Sequence, residues 1–165
     1  TSGEVIYNEE KINEENITKY KKNFYYIPQE SFLLNDTIIT NIILENDTKN
    51  YNKDKFEKSL KMSKIYDDLN ELPRKYETKI SDRGSNFSGG QKQRINLARS
   101  FFFDRNILVL DEATNALDKN LEIDVVNNII KNFKNKIIII TSHRKDILDL
   151  CNKHYEIENN RLKEV

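Results

Sequence analysis

The stretch Phe87-Ser88-Gly89-Gly90-Gln91 decides the fold of this 165-residue chain. Ser88 is a residue type that caps helix N-termini, and the residues after it, to about Phe103, have helical spacing. A Ser-Gly-Gly turn that opens a helix presents free N–H groups at the positive end of the helix dipole, where phosphate binds. Two of the chain's four glycines lie in this turn, which therefore predicts a phosphate-binding site. We expect the apolar residues of the helix to form one side: Ile95, Leu97, Ala98, Phe101 and Phe102.

An apolar run, Ile107 to Leu110, follows this helix and ends at Asp111 and Glu112. A continuous apolar strand predicts burial on both faces of a parallel sheet. A carboxylate pair at the end of such a strand can hold Mg²⁺ and align a water beside a nucleotide. An Asp-Glu pair taken alone is more often a solvated loop or a helix cap. The strand before it and the segment 113–118 after it favour the functional interpretation.

Strands and helices alternate on both sides of this segment, which predicts an α/β fold with a parallel sheet and helices packed on it. Asp36 is available to cap the first of the helices, and Pro73 ends the second. The predicted elements are strands at 5–7, 23–27 and 136–141, a turn at 8–9, helices at 37–44, 54–72, 119–133 and 144–151, and a closing hairpin of 155–157 with 161–163.

The composition narrows the classes of protein. Lys and Arg number 27 and Asp and Glu number 27, so the balanced charge does not indicate a nucleic acid partner. Apolar runs such as Ile137 to Ile140 have the length of a buried strand, far short of the roughly 20 residues that span a bilayer. The single cysteine, Cys151, cannot form an internal disulfide, which suits a reducing compartment.

The Ser88–Gln91 signature, the Walker B segment 107–112 and His143 stand in an order that resembles the nucleotide-binding domain of an ABC transporter. The resemblance covers essentially the whole chain. It implies a partial P-loop NTPase (RecA-like) fold, with a parallel sheet, flanking helices and a helical signature subdomain. Core strands and the Q-loop would occupy 1–36, the helical subdomain 37–104, and the Walker B, D-loop and His-switch core 105–165.

The segment Thr78-Lys79-Ile80-Ser81-Asp82-Arg83-Gly84 resembles the X-loop of exporters within this family. Thr78, Arg83 and Gly84 match that pattern, whereas Lys79 and Ser81 depart from it. The family's P-loop, G-x-x-x-x-G-K-[ST], is not found, because Gly84 and Gly89 are followed by Gly-Gln in place of Lys-Ser/Thr. We therefore expect the chain to be the C-terminal portion of such a domain, without its P-loop lobe.

The resemblance implies ATP and Mg²⁺ as cofactors and a role for each motif residue. Asp111 would bind Mg²⁺, and Glu112 would orient and deprotonate the attacking water. Gln29, after strand and proline, would contact Mg²⁺ or that water. His143 would hydrogen-bond the γ-phosphate, although a lone histidine is usually structural or exposed. Asp118 in the D-loop would help position the water from across a dimer.

Two partners are implied as well. Ser88, Gly89, Gly90 and Gln91 would close over ATP that is held by a second nucleotide-binding domain in a head-to-tail dimer. The apolar surface at Gln29–Ile38 would receive the transmembrane domain, at the cytoplasmic face of the cell membrane. The alternative is that Phe32 and Leu33 are core residues, and some residues of the segment could have both roles. This chain itself is expected to be soluble.

Three functions remain open from the sequence. The first is the ATP-hydrolysing portion of an ABC exporter. The second is a soluble ABC-type ATPase acting on nucleic acid or ribosomes, for which a basic surface or a long coiled-coil insert would be expected. The third is a non-catalytic interaction lobe. Because phosphoryl transfer depends on positioning and charge stabilisation of the phosphates, we expect the 165 residues alone to be inactive.

Overall fold

The computed structural model of the chain describes residues 3–45 and 48–165. It opens with an antiparallel hairpin of β1 (Ile6–Tyr7) and β2 (Glu10–Lys11). The two turn residues, Asn8 and Glu9, have φ angles of 48° and 66°, the conformation that matches the twist of a two-residue hairpin. This confirms the predicted turn. A short helix that was not predicted, α1 (Ile17–Lys21), follows the hairpin; its five residues are too few to show a period.

The central element is a parallel sheet of three strands in the order β3 (Phe24–Ile27), β4 (Ile107–Asp111) and β5 (Ile137–Thr141). Its register places Ile27 beside Leu110 and Leu110 beside Ile140. Parallel strands require crossover connections, and both crossovers here contain helices. The α/β fold with a parallel sheet is therefore confirmed.

Six further α-helices, two short 3₁₀ turns (Lys75–Glu77 and Asp82–Gly84) and a second hairpin complete the described chain. Asp104, with a left-handed φ of 56°, ends the helix that begins at Gly89. The side chain of Arg83, which matched the exporter pattern, lies outside the described part. The elements are α2 (Ile38–Ile43), α3 (Lys53–Met62), α4 (Tyr66–Asn70), α5 (Gly89–Phe103), α6 (Lys119–Asn132), α7 (Lys145–Leu148), β6 (Tyr155–Glu158) and β7 (Arg161–Glu164).

The single helix predicted at 54–72 is wrong, because the chain leaves the helical path between α3 and α4. Lys64 has φ 58°, and the Ile65 N–H donates to the Leu60 carbonyl at 3.1 Å. This is the Schellman arrangement that ends helices, and the apolar residues at its two ends commonly contact each other. Leu60 and Ile65 are both buried in one hydrophobic cluster. Burial of Ile65 therefore outweighs continuation of the helical pattern.

The predicted cap of α2 is also wrong by one residue. Thr37 is the N-cap, and its hydroxyl accepts a hydrogen bond from the Thr40 N–H at 3.2 Å. Asp36 instead accepts a bond from the Thr37 N–H at 2.6 Å. The Asp36 and Thr37 side chains thus each accept a hydrogen bond from one of the free N–H groups at the start of this helix.

Helix α5 is buried on two sides, and the single apolar side predicted for it is wrong. Ile95 and Ala98 belong to a cluster formed with α2, α3 and α4, which we call the helical core. Leu97 and Phe101 belong to a second cluster with the sheet and α6, which we call the sheet core. Positions two apart are rotated by roughly 200° around a helix, so Ile95 and Leu97 must face opposite ways.

The expectation that the strands are buried on both faces is wrong for β5, whereas in β4 the neighbouring residues Ile107 and Leu108 are both buried. The sheet core covers the face that carries Tyr25, Leu108 and Ile138. The opposite face is covered in part, since Ile107 of β4 is buried, whereas Ile137 and Ile139 of β5 are 57% and 49% exposed. Continuous apolar composition thus marks a strand with two apolar faces, and the described chain covers the second face at Ile107 but not at Ile137 and Ile139.

If α5 joins the two cores, substitutions on either side should weaken the same cooperative unit. We expect Ile95→Ala and Leu97→Ala each to lower the free energy of unfolding by about 2–5 kcal/mol in urea titrations, because each leaves a cavity. The control, Lys58→Ala on the exposed side of α3, should change it by less than about 0.5 kcal/mol. Two separable unfolding transitions, one for each core, would contradict the shared role of α5.

Candidate functional site

The carboxyl ends of β4 and β5 lie side by side and bring the site together. The Thr141 hydroxyl donates to Asp111 Oδ1 at 2.8 Å and accepts a bond from the Glu112 N–H at 3.0 Å. Glu112 has φ 47°, a left-handed conformation that is uncommon for a residue with a side chain and often marks a functional site. Thr141 therefore fixes the two carboxylates at the edge where ligands bind in open α/β sheets.

Glu112 is the meeting point of three side chains. Gln29 and Asn115 donate to its Oε2 at 2.9 and 2.8 Å, and His143 Nε2 lies 3.0 Å from its Oε1. The structure thus brings together Gln29, Glu112 and His143, three residues that the sequence placed in one site. Asn115 stands beside them as a further hydrogen-bond donor. A carboxylate held in this way can orient a water and accept its proton.

Asp111 has a partner that the sequence analysis missed. The Tyr26 hydroxyl donates to Asp111 Oδ2 at 2.7 Å. The Tyr26 and Thr141 hydroxyls together hold the pKa of the Asp111 carboxyl below its ordinary value, because both donate to the ionised form. The alternation of β3 was the available signal, since Tyr26 points away from the sheet core that contains Tyr25 and Ile27.

The donor set at this edge suits Mg²⁺. The described residues contain no group of three or more His, Cys, Asp or Glu side chains that could hold a metal. Mg²⁺ needs no such cage, because proteins bind it with one or two carboxylates and leave the other positions to water and substrate phosphates. Asp111 is the fitting carboxylate. Gln29 donates to Glu112 through its amide nitrogen, so its carbonyl oxygen, on the other branch of the same planar amide, is the atom that could contact a cation.

The turn that opens α5 is a complete capping box. Gln91 N–H donates to Ser88 Oγ at 3.2 Å, and Ser88 N–H donates to Gln91 Oε1 at 3.0 Å. Gln91 also donates to Asp68 of α4 at 3.2 Å, so its side chain shapes the turn. The N–H groups of Gly89 and Gly90 lie in the first helical turn, where a helix supplies no acceptor of its own. The predicted N-cap at Ser88 is confirmed.

The same turn packs closely on the segment after Glu112. A Cβ added to Gly90 would lie 3.1 Å from the Ala116 carbonyl oxygen. The Ala116 N–H donates to Gln93 Oε1 of α5 at 3.0 Å. Asp118, at the end of this segment, caps α6 by accepting a bond from the Leu121 N–H at 3.1 Å and is not among the contacts of Glu112 in the described chain.

Comparison with known proteins places this geometry in a family. The model of the family described as "ABC transporter" matches residues 1–115 of the chain. The chain belongs to the ABC transporter family. The match includes the Ser88–Gln91 turn and the carboxylate pair, whereas His143 lies beyond it.

Individual relatives and a solved structure agree with the family assignment. The chain is 33% identical over 161 residues to a probable ABC transporter ATP-binding/permease protein of Haemophilus influenzae, covering 98% of this chain and 29% of the relative. It is 32% identical to the lactococcin-G-processing and transport ATP-binding protein LagD of Lactococcus lactis, covering 93% of this chain and 22% of that protein. A bacterial Atm1-family ABC exporter with ATP bound superposes with a TM-score of 0.90 at 29% identity, covering 99% of this chain and 28% of that one.

The chain therefore spans less than a third of the length of these ABC proteins. Its parallel sheet with flanking helices is a partial form of the nucleotide-binding fold of the family. Within residues 3–45 and 48–165, no helix combines the length and the apolar character that crossing a membrane requires.

The G-x-x-x-x-G spacing at Gly84 and Gly89 is unrelated to an ABC P-loop in the structure as well. Gly84 has φ 79° in a short 3₁₀ turn, and a Cβ there would lie 2.7 Å from Lys92 Cδ. The positive φ and the lack of room for a Cβ atom explain why position 84 is a glycine without any role in phosphate binding.

The segment 29–38 is divided between core and surface. Phe32 and Leu34 are 64% and 37% exposed, whereas Leu33 and Ile38 are buried in the helical core. The two alternatives that the sequence left open therefore apply to different residues of the same segment, and only Phe32 and Leu34 are available as an apolar contact surface.

The close approach at Gly90 can be tested against its neighbour. Gly90→Ala should lower the free energy of unfolding by about 1 kcal/mol relative to Gly89→Ala, because its methyl group crowds the Ala116 carbonyl. At Gly89 the nearest atom, Ala116 Cβ, is 3.5 Å away, an ordinary contact. Amide exchange of Ala116 should also accelerate in Gly90→Ala alone. Equal stability of the two variants would contradict this prediction, because it would mean that the segment 113–118 moves away from the added methyl group with no loss of stability.

The bond from Tyr26 to Asp111 predicts a pH effect. Tyr26→Phe should raise the pKa of Asp111 towards its ordinary value, as measured by the ¹³Cγ shift of the carboxyl group in a pH titration. Because the folded pKa is lowered, these bonds favour folding above the unfolded pKa and lose their effect as pH falls through the folded value. The control, Tyr25→Phe, faces the sheet core and should leave Asp111 unchanged. An unaltered titration in Tyr26→Phe would disprove the bond.

Proposed function

We propose that the chain is the signature, Walker B and His-switch portion of the ATP-binding domain of an ABC exporter, and that ATP hydrolysis in the intact protein drives transport across a membrane. The observation that carries this proposal is the contact of Glu112 with Gln29 and His143 at 2.9 and 3.0 Å. The relatives named as ATP-binding/permease and transport ATP-binding proteins support it, as does the likeness to an ATP-bound exporter.

Each residue of the site at the carboxyl ends of the strands has a proposed task in hydrolysis. Glu112 accepts a hydrogen bond from the attacking water and then its proton. Gln29 and His143 hold the Glu112 carboxylate in place, and His143 can exchange that contact for a phosphate oxygen. Asp111, oriented by Tyr26 and Thr141, would hold Mg²⁺ together with Gln29. Mg²⁺, when bound, would neutralise charge on the transferred phosphoryl group.

The turn at the start of α5 supplies the complementary half of a nucleotide site. Ser88 has a hydroxyl at the helix start, and the N–H groups of Gly89 and Gly90 lie at the positive end of its dipole. We propose that this turn closes over ATP held by a second nucleotide-binding domain, in a head-to-tail dimer. Gln91 contributes by holding the turn in shape, and Asp118 approaches the water of the opposite site.

The exposed residues Phe32 and Leu34 are the proposed contact with a transmembrane domain. They lie three and five residues after Gln29 in the chain, so movement of this segment would change the contact between Gln29 and Glu112. Large exposed apolar side chains next to a buried anchor such as Leu33 are typical of protein contact surfaces. This proposal places the chain at the cytoplasmic face of a membrane.

The chain by itself is proposed to behave as a non-catalytic lobe. Its sequence has no G-x-x-x-x-G-K-[ST] segment to cradle the β- and γ-phosphates. Loss of one preorganised electrostatic donor typically costs about 10²–10³ in rate, and here a whole cradle would have to be supplied by other residues.

Calorimetry and ATPase assays on two forms of the protein test the proposal. We expect tight Mg-ATP binding and hydrolysis only when the chain is extended N-terminally by a P-loop lobe, and loss of hydrolysis in Glu112→Gln of that form. Glu71→Gln, an exposed residue at the end of α4, is the matched control and should retain full activity. If the short chain alone hydrolysed ATP, or if Glu112→Gln were fully active, the proposed roles would be wrong.

A further inference from the structure

Helix α6 contains a fully buried carboxylate for which the proposed reaction has no task. Glu122 is 0% exposed, although it is a charged residue on the first turn of the helix. Burial of a charge is costly unless the charge is paired and hydrogen-bonded, so a buried glutamate needs specific partners. Glu122 has two, and they come from two different loops.

The two oxygens of Glu122 hold separate segments of the chain. Thr114 Oγ1, two residues after Glu112, donates to Oε1 at 2.6 Å. The Arg144 guanidinium, one residue after His143, donates to Oε2. Thr114 is itself buried, at 3% exposure, so this side of the arrangement is closed to water. Glu122 thus connects the loop that carries Glu112 with the loop that carries His143.

The contact between Glu112 and His143 needs such support. The His143 side chain is 90% exposed and the Glu112 side chain 24%, so packing does not hold the imidazole. An exposed contact of this kind contributes at most about 1 kcal/mol even between full charges, too little to fix two loops against each other. Thr141 ties the strand ends, but His143 lies two positions further along the chain, beyond Ser142. Arg144 is the next anchored residue after the histidine.

We propose that Glu122 is a positioning residue: through Thr114 and Arg144 it sets the distance between Glu112 and His143. Asp146 binds Arg144 at 3.0 Å and Lys119 of α6 at 3.3 Å, but among the described contacts it does not reach Thr114 in the Glu112 loop. Removal of the Asp146 charge is therefore the matched control. For catalysis the inference rests on the proposed function, whereas the positioning itself does not.

A double-mutant cycle on the 165-residue chain, read by NMR, tests the positioning without an activity assay. The chain has two histidines, His143 and His154, so their Cε1–Hε1 signals are readily assigned. Glu112→Gln should shift the His143 signal and leave that of His154 in place. In the Glu122→Gln background, the change that Glu112→Gln causes in the His143 signal should fall to about half or less. The reason is that Glu112 and His143 are held together through Glu122. In the Asp146→Asn background the change in the His143 signal should be as large as in the wild type.

An undiminished His143 shift in Glu122→Gln would overturn the proposal. If Glu122→Gln fails to fold, as judged by circular dichroism, Arg144→Gln removes the other end of the same bond and should give the same result. An undiminished change of the His143 signal in the Arg144→Gln background would also overturn the proposal.

The extended, ATP-hydrolysing form provides the second arm. Glu122→Gln should lower kcat about 10- to 100-fold with KM changed by less than about twofold, since misplacement of a catalytic group affects the transition state most. In a His143→Ala background Glu122→Gln should cost little more. Additive losses would overturn the proposal. A wild-type extended form without ATPase activity would instead refute the proposed function, and the NMR cycle would still decide the positioning.

Discussion

Burial of α5 on two sides is the constraint on which the rest of the structure depends. Leu97 and Phe101 pack into the sheet core while Ile95 and Ala98 pack into the helical core, so neither core is complete without this helix. A helix fixed on both sides has no freedom to rotate or slide. Its N-terminus is therefore held in one place, with the glycine turn at 88–90 against the Ala116 backbone.

The site around Asp111 and Glu112 depends on a second constraint, the parallel register of β4 and β5. Because Asp111 is paired with Thr141, one hydroxyl reaches both the Asp111 carboxylate and the Glu112 backbone. The left-handed φ of Glu112 then turns its side chain away from the strand direction, towards Gln29 and His143. Two adjacent carboxylates thus have different surroundings, which suits one of them for a metal ion and the other for a proton.

Particular errors of the sequence analysis show where local patterns lose their force. The apolar spacing of 54–72 is helical throughout, yet Lys64 adopts a left-handed conformation because that buries Ile65 beside Leu60. The apolar residues of α5 were assigned to one side, whereas a helix between two cores needs two. Tyr26 was taken only as part of a strand, since its partner Asp111 lies 85 positions away.

The sequence by itself determined the family motifs, the capping of α5 by Ser88, the parallel α/β fold and the gathering of Gln29, Glu112 and His143 at one sheet edge. These features follow from local chemistry, namely cap residues, apolar strands and polar residues placed directly after them. Only the tertiary structure decided which groups contact them: Tyr26 on Asp111, and Glu122 between two loops. Such contacts join residues far apart in the chain, and they depend on sheet register and helix packing, which no local pattern encodes.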